Sequence, residues 1–523
     1  MTPAEERALE LPLHPGALLR ATPQAVWALV LLQLLVSVLY AIAVPLLHGP
    51  DEHAHVDLIL NVSDHLGTDP YAGLEFDRRT FTAMARRDLV AVDWRSSPVF
   101  PWEGLEGGAA PLRAHRPTYE QLVPSGPVGV PNTANTHPPL YYAVADGAAA
   151  VVRAVLPVRW TWDRHVTMLR IVSAALVAPL PLLAFWTAFG LTRRRRVALT
   201  AALVPLAVPQ LTHIAGTVNN DDLLFLLTAA LTLVLSWVVR GDRSLGTAVA
   251  AGALAGAGVL TKVFALPAPL WIVAAYALAW RQGLRPRDAL TRVGVAGVAT
   301  VVLGGWWVLR QLVVHGTPAP RPFLYDQPAG LDTGLVRWLG TVLDRMPATF
   351  WGRFGVEHLT LPGWLIVAAS LVLLAVLLAA YTAPDVGAPP LTVLVLPAAT
   401  TLAMVLWAAW GGYVRSGLPT GLHGRYLFVG MVGIALLWAL GADRLVGGLA
   451  LPATAIVALV LQAAGLATVT GSYWEGPGVL GDVAAAMAWA PWRARWSILL
   501  VLATAAAGVV AAVGVRRDAK APT

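Results

Sequence analysis

The sequence predicts an all-α fold, a polytopic transmembrane helix bundle of about twelve spans with a long outer first loop carrying juxtamembrane helices. Three observations predict it. Of 523 residues, 57% are hydrophobic and 13% charged, against roughly a quarter charged in soluble domains. Mean hydropathy is +0.64, and apolar runs of about twenty residues, the length that crosses hydrocarbon as a helix, recur along the whole chain. The period-two alternation of a membrane barrel is absent.

The spans fall at 26–47, 168–190, 197–216, 222–239, 245–261, 264–280, 293–312, 363–381, 391–410, 427–441, 449–470 and 496–515. Residues 1–25 are polar to mixed, and no small-residue cleavage site follows the first run, which is therefore expected to be a retained helix. The basic residues sit in the short connections: Arg193 to Arg196, then Arg240 with Arg243, then Arg281, Arg285, Arg287 and Arg292. Arg444 and the tail residues Arg516, Arg517 and Lys520 complete the set. With these spans all of them lie on the side of the N-terminus, so both termini are expected to be cytoplasmic in a multi-pass plasma-membrane protein. Residues 1–25 and 516–523 then flank a transmembrane domain at 26–515, with outer loops near 48–167, 313–362, 411–426 and 471–495. Counting 139–156 as a span would invert every later loop and bury Asp146 and Arg153 at mid-bilayer. That segment is expected instead to be an amphipathic helix at the outer leaflet.

Composition also excludes some functions. The net charge is +7, but its short clusters between apolar runs mark membrane loops, not a nucleic-acid surface. Without cysteine there is no disulfide, thiolate metal site or Cys nucleophile. No internal repeat signals an inverted-repeat transporter. No inner loop is long enough for a catalytic domain, so polar chemistry is expected on the outer face, inside a membrane-proximal cavity, or nowhere.

The first outer loop opens with HGPDEHAHVD, His48 to Asp57, directly after the first span. Asp51 and Glu52 are adjacent acids, followed by His53 and His55. Such a pair suits a general base beside a partner that orients an acceptor hydroxyl. The same cluster offers carboxylate and imidazole ligands for a divalent metal. Charged residues also gather at a membrane exit simply to leave the lipid. NTHPPLYY, Asn135 to Tyr142, reads as a Pro-initiated interfacial helix, which explains everything in it except His137. In TVNNDD, Thr217 to Asp222, the asparagines form a turn and Asp221 or Asp222 is expected to cap the next helix. Lys262, in GVLTKVF, is the only lysine before the extreme C-terminus. It either snorkels or requires an anionic partner, a carboxylate or a phosphate. FWGRFGVEHLTLP places Arg353, Glu357 and His358 near the outer face, and HGRYLF puts Arg425 and Tyr426 at the start of a span. Arginine suits bidentate phosphate recognition, although interfacial arginine also meets lipid headgroups.

In this order the motifs resemble the GT-C superfamily of polytopic glycosyltransferases that use polyprenyl-phosphate-linked sugars. The similar elements are PDE with a following His after the first span, HPPLYY, VNND, LTK, WGRFG and GRYLF, between about residues 45 and 445. The resemblance is nearest to bacterial GT-C-like membrane proteins, with protein O-mannosyltransferases and aminoarabinose transferases as relatives. It implies that Asp51 is the catalytic base, with Glu52 the acceptor-orienting acid beside it. It further implies a substrate site drawn from His53, His55, His137, Asn220, Asp221, Lys262, Arg353, Glu357, His358, Arg425 and Tyr426. Within that set, Lys262 and Arg425 are the cations expected on the donor phosphate.

The expected activity is transfer of a sugar, with inversion, from a polyprenyl-phosphate donor to an acceptor hydroxyl on the outer face during envelope glycan assembly. The acceptor is a glycan, a lipid or a protein; membrane lipids are the other partners, and nucleic acid is not one. No cofactor is required, and a divalent metal at the Asp51 cluster is left open. The competing readings are a flippase or transporter of a lipid-linked glycan, and a non-catalytic envelope scaffold. A flippase would place its polar residues nearer the bilayer midplane.

Overall fold

The computed structural model describes residue 19 and residues 22–61, 75–84, 112–318, 334–384, 386–417, 420–474 and 476–519. Among these the chain is a helix bundle, and its only strands are two short antiparallel pairs, Glu75–Asp77 with Pro127–Pro131 and Arg353–Phe354 with Leu359–Thr360. Lys520 of the basic tail, most of residues 1–25 and parts of the outer loops lie outside the described residues.

Helix occupies most of each of the twelve expected spans, the first of which ends at Ala43 rather than at 47. Nine helical stretches of the described residues are long and apolar enough to cross a membrane, ten with one bent pair. The bent pair, Arg195–Ala207 and Pro209–Ala215, turns by 65°, because Pro205 and Pro209 remove backbone donors there. Leu245–Val259 has only 15 residues. Gly424–Tyr473 runs 50 residues, about 75 Å if straight, far more than the roughly 30 Å of a bilayer core. It breaks at Gly447, whose φ of +52° interrupts the helical path, and so supplies two of the expected spans.

Helices press together where glycine removes a side chain. A Cβ on Gly252 would stand 2.1 Å from the Ala296 carbonyl oxygen, and one on Gly441 would stand 1.8 Å from that of Val376. In hydrocarbon, with little hydrophobic drive between helices, such close backbone packing is the main source of association. Outward faces remain apolar: Leu371, Val372, Leu374 and Leu378 of Gly363–Ala380 are exposed. The first helix, Gln24–Ala43, lies along the last, Ala494–Asp518.

Segment 139–156 forms a separate helix, Leu140–Val155. Tyr141, Tyr142, Ala145 and Ala149 are buried on one face, while Val151, Val155, Leu156 and Val158 are exposed. Asp146 and Arg153 pair across its surface at 3.7 Å. With helix Glu52–Leu60, Phe76, Tyr119 and Trp162 it builds a second apolar core beside the bundle.

Candidate active site

The site grows from the end of the first helix. After Val44 the chain turns through Pro45, Leu47 at φ +65° and Asp51 at φ +57°, then enters helix Glu52–Leu60. Two left-handed residues other than glycine in five positions are costly, of order 1 kcal/mol or more each, and persist only where surroundings hold them. Glu52 provides that hold. Its carboxylate is fully buried and accepts from Arg170 Nε and Nη2 at 2.7 and 2.6 Å. Gly49 N and Val218 N also donate to it, at 3.0 and 3.1 Å. The remaining Arg170 donors reach the carbonyls of Ala41, Val44 and Pro45. Glu52 therefore welds three chain segments, and none of it faces an open surface. Asp51, its neighbour, is 63% exposed.

Arg170 was not singled out by sequence, although an arginine just inside the expected second span demands an anionic partner. Its burial and bidentate pairing are the observations that place it beside the site.

Asn219, not Asp221 or Asp222, takes the side-chain role at the start of helix Asp221–Val239: its Oδ1 accepts from Asp221 N at 3.0 Å. The expected aspartate cap is corrected, because Asp221 is committed elsewhere. Asp221 Oδ1 accepts from Lys262 Nζ at 2.7 Å, so the partner of Lys262 within the chain is a carboxylate. Asp221 Oδ2 and both polar side-chain atoms of Asn220 are buried, and no described group hydrogen-bonds them.

Tyr426 connects this pair to the other acids. Lys262 Nζ and Arg425 Cζ each lie 5.3 Å from its ring centre, so the two cations share one aromatic ring. Arg425 Nη1 bonds Glu357 Oε1, while Arg425 Nη2 lies 3.6 Å from Asp51 Oδ2. Glu357 also takes Arg345 Nη2 at 3.3 Å and His423 Nδ1 at 2.8 Å. Burial alone would raise the Glu357 carboxyl, but His423, Arg425 and Arg345 together hold it below the usual carboxylate range. The result is two runs of alternating charge that meet at Tyr426: Glu357, Arg425 and Asp51 in one, Lys262 and Asp221 in the other.

His55 and His137 stack at 5.7 Å, and His55 Nδ1 lies 2.9 Å from Tyr142 Oη. Burial, then the nearby Lys262, pushes His137 down to about 3, and burial followed by His137 keeps His55 low as well, so both rings are neutral. HPPLYY thus supplies a neutral aromatic wall, with His137 in it. His53 stacks on Phe76 at 5.5 Å, whereas His55 stacks on His137. The acid–imidazole cluster does not converge as ligands: Glu52 is committed to Arg170, and among the described residues no three His, Asp or Glu side chains are arranged to hold a metal.

Arg353 and His358 brace the site without joining the charge chain. Arg353 Nε donates to the Glu357 carbonyl at 2.7 Å, and its backbone N–H donates to Gln210 Oε1 at 2.7 Å. His358 meets Tyr473 edge-on at 5.4 Å. Between them, a side chain on Gly355, at φ +62°, would start 2.1 Å from Tyr473 Oη.

Fold and site define a polytopic helical membrane protein with acids and cations gathered around one aromatic side chain beside the exit of its first helix. Residues 138–307 match the family described as dolichyl-phosphate-mannose-protein mannosyltransferase. The matched stretch is about a third of the chain and holds His137's neighbours in HPPLYY, the VNND turn and Lys262. It bears out the resemblance carried by the motifs, in that this segment is similar to a protein mannosyltransferase family. No curated protein matches the sequence. Among solved structures, ArnT from Cupriavidus metallidurans bound to undecaprenyl phosphate is 16% identical over 94% of this chain and 75% of that one, at a TM-score of 0.45. The apo oligosaccharyltransferase of Archaeoglobus fulgidus is 12% identical over 95% and 56%, at a TM-score of 0.41.

Proposed function

We propose that this chain transfers a sugar from a polyprenyl-phosphate donor to an acceptor hydroxyl on the outer face of the plasma membrane, inverting the anomeric carbon. The observation that carries the reading is the pair of cations on Tyr426, Lys262 and Arg425, with the exposed Asp51 beside them. The matched family's description names a dolichyl-phosphate sugar, which supports a donor of that class here.

Each group has one task. The acceptor hydroxyl gives its proton to Asp51 as its oxygen bonds to the anomeric carbon from the face opposite the phosphate. The bond from that carbon to the phosphate oxygen breaks, and polyprenyl phosphate leaves with the electron pair. Its growing negative charge is met by Lys262 and Arg425, which are already fixed in a buried setting where such interactions are strong. Asn220, buried with an unengaged amide, directly precedes Asp221, the partner of Lys262, and is assigned to the donor's polar groups. Glu52 is assigned a positioning role, holding the turn that presents Asp51. The neutral ring of His137 lines the donor side. No step needs a metal.

Purified protein incubated with a panel of polyprenyl-phosphate sugars should release polyprenyl phosphate and form a glycosylated acceptor. Asp51→Asn keeps size and shape but cannot take the proton, so transfer should drop by about 10² to 10⁴-fold while donor still binds. Near-normal transfer by this variant would remove Asp51 as the base, and wild-type protein that moves the donor across vesicles without product would make the chain a flippase.

A further inference from the structure

Arg425 stands between two carboxylates and treats them differently. Its Nη1 is bonded to Glu357, whereas its Nη2 is 3.6 Å from Asp51, beyond hydrogen-bond length. Glu357 is fixed from every side. Arg345 comes from helix Leu335–Trp351, His423 and Arg425 from the segment around Gly424–Gly430, and Arg353 Nε holds the Glu357 carbonyl. Its own backbone is left-handed at φ +72°, a conformation that a glutamate adopts only when tertiary contacts impose it. Such a conformation at the hub of an ion-pair cluster marks a residue held for its placement.

We propose that Glu357 is a positioning residue that keeps Arg425 from closing onto Asp51, and so leaves Asp51 free to accept a proton. The inference rests on Asp51 being the base of the transfer. The charges around the pair balance: Arg345 and Arg425 face Glu357 and Asp51. Asp221 also acts on Arg425 but is held by Lys262 at 2.7 Å, so removing the Glu357 charge leaves Asp51 as the anion without a close cation that the Arg425 guanidinium can approach. Arg425 then swings toward Asp51, and the carboxylate is stabilised as an ion and weakened as a base. The other ionisable groups facing Asp51 are His53, His137, Tyr142 and Tyr426. Those facing Glu357 also include His213. Both His53 and His137 are held below the usual histidine value, chiefly by burial, so neither supplies a competing cation near neutral pH.

The test measures transfer against pH, with the polyprenyl-phosphate sugar that the wild type turns over, and binding of undecaprenyl phosphate in parallel. In Glu357→Gln the acidic limb of kcat/KM should move to lower pH by about one unit. At its plateau kcat should fall several-fold, with undecaprenyl phosphate bound at least as tightly as by wild type. In the double variant Glu357→Gln with Arg425→Gln, the limb should return toward the wild-type position. A merely structural Glu357 would lower kcat and phosphate binding together without moving the limb, and that result would overturn the proposal. If Glu357→Gln does not fold, Glu357→Asp serves, whose shorter arm should shift the limb in the same direction by less; an unmoved limb there overturns the proposal as well. Asp51→Asn separates the two readings. Activity retained in that variant removes the base, whereas a dead Asp51→Asn with an unmoved Glu357→Gln limb removes only the positioning role.

Discussion

Arg170 donates from Nε and Nη2 to the two oxygens of Glu52 at 2.7 and 2.6 Å, a bidentate pair between residues 118 positions apart with both side chains fully buried. Removing one member leaves an uncompensated buried charge, at a cost of about 3–5 kcal/mol. Arg170→Met should therefore lower the melting temperature in detergent and sharply reduce yield. Combining it with Glu52→Gln should recover part of that stability, and a double variant no more stable than Arg170→Met would show that the arginine acts through its carbonyl contacts instead.

Lys262 and Asp221 form the second buried pair, but here one member faces the donor. Lys262→Gln should weaken binding of undecaprenyl phosphate about ten- to a hundred-fold, the equivalent of the roughly 1.5–3 kcal/mol carried by one charged hydrogen bond. It should also destabilise the protein, because Asp221 loses its counter-charge. Adding Asp221→Asn should restore the melting temperature and leave phosphate binding weak. Recovery of binding in the double variant would return Lys262 to a purely structural role.

Asp57, on helix Glu52–Leu60, gives a pH-dependent outcome. Burial raises its carboxyl from 3.8 to about 6, against hydrogen bonds that include Asn132 Nδ2 at 2.9 Å and Asp77 N at 3.1 Å. A raised folded-state value means that the fold favours the protonated acid. Its contribution is full below about 4 and is lost as pH rises through about 6. Asp57→Asn should flatten the change in melting temperature between pH 4 and pH 6.5. An unchanged slope would show that another group governs it.

The orientation is tested by labelling, since the chain has no native cysteine. Thr133 and Gln282 are both exposed, the first beside HPPLYY and the second in an arginine-bearing connection. Thr133→Cys should react with an impermeant maleimide from outside intact cells, and Gln282→Cys only after permeabilisation. Labelling of both from one side would break the proposed topology.

A many-span helical membrane protein is legible from the amino-acid order alone, because hydrocarbon tolerates only backbones that satisfy their own hydrogen bonds. Each expected span corresponds to helix, and the segment 139–156 emerged as a separate amphipathic helix. Charge placement and ordered motifs are also legible from the sequence, and they single out Asp51, Lys262 and Arg425. Which charges meet depends on the folded packing. Glu52 and Asp51 are neighbours in sequence, yet the left-handed turn sends one into a sealed pair with Arg170 and leaves the other exposed. Lys262 and Arg425 are 163 residues apart, and the packing of their helices sets them on one tyrosine ring. Residue type fixes that a buried charge must find a partner; the helix packing, which depends on small residues spread along the whole chain, fixes which partner it finds.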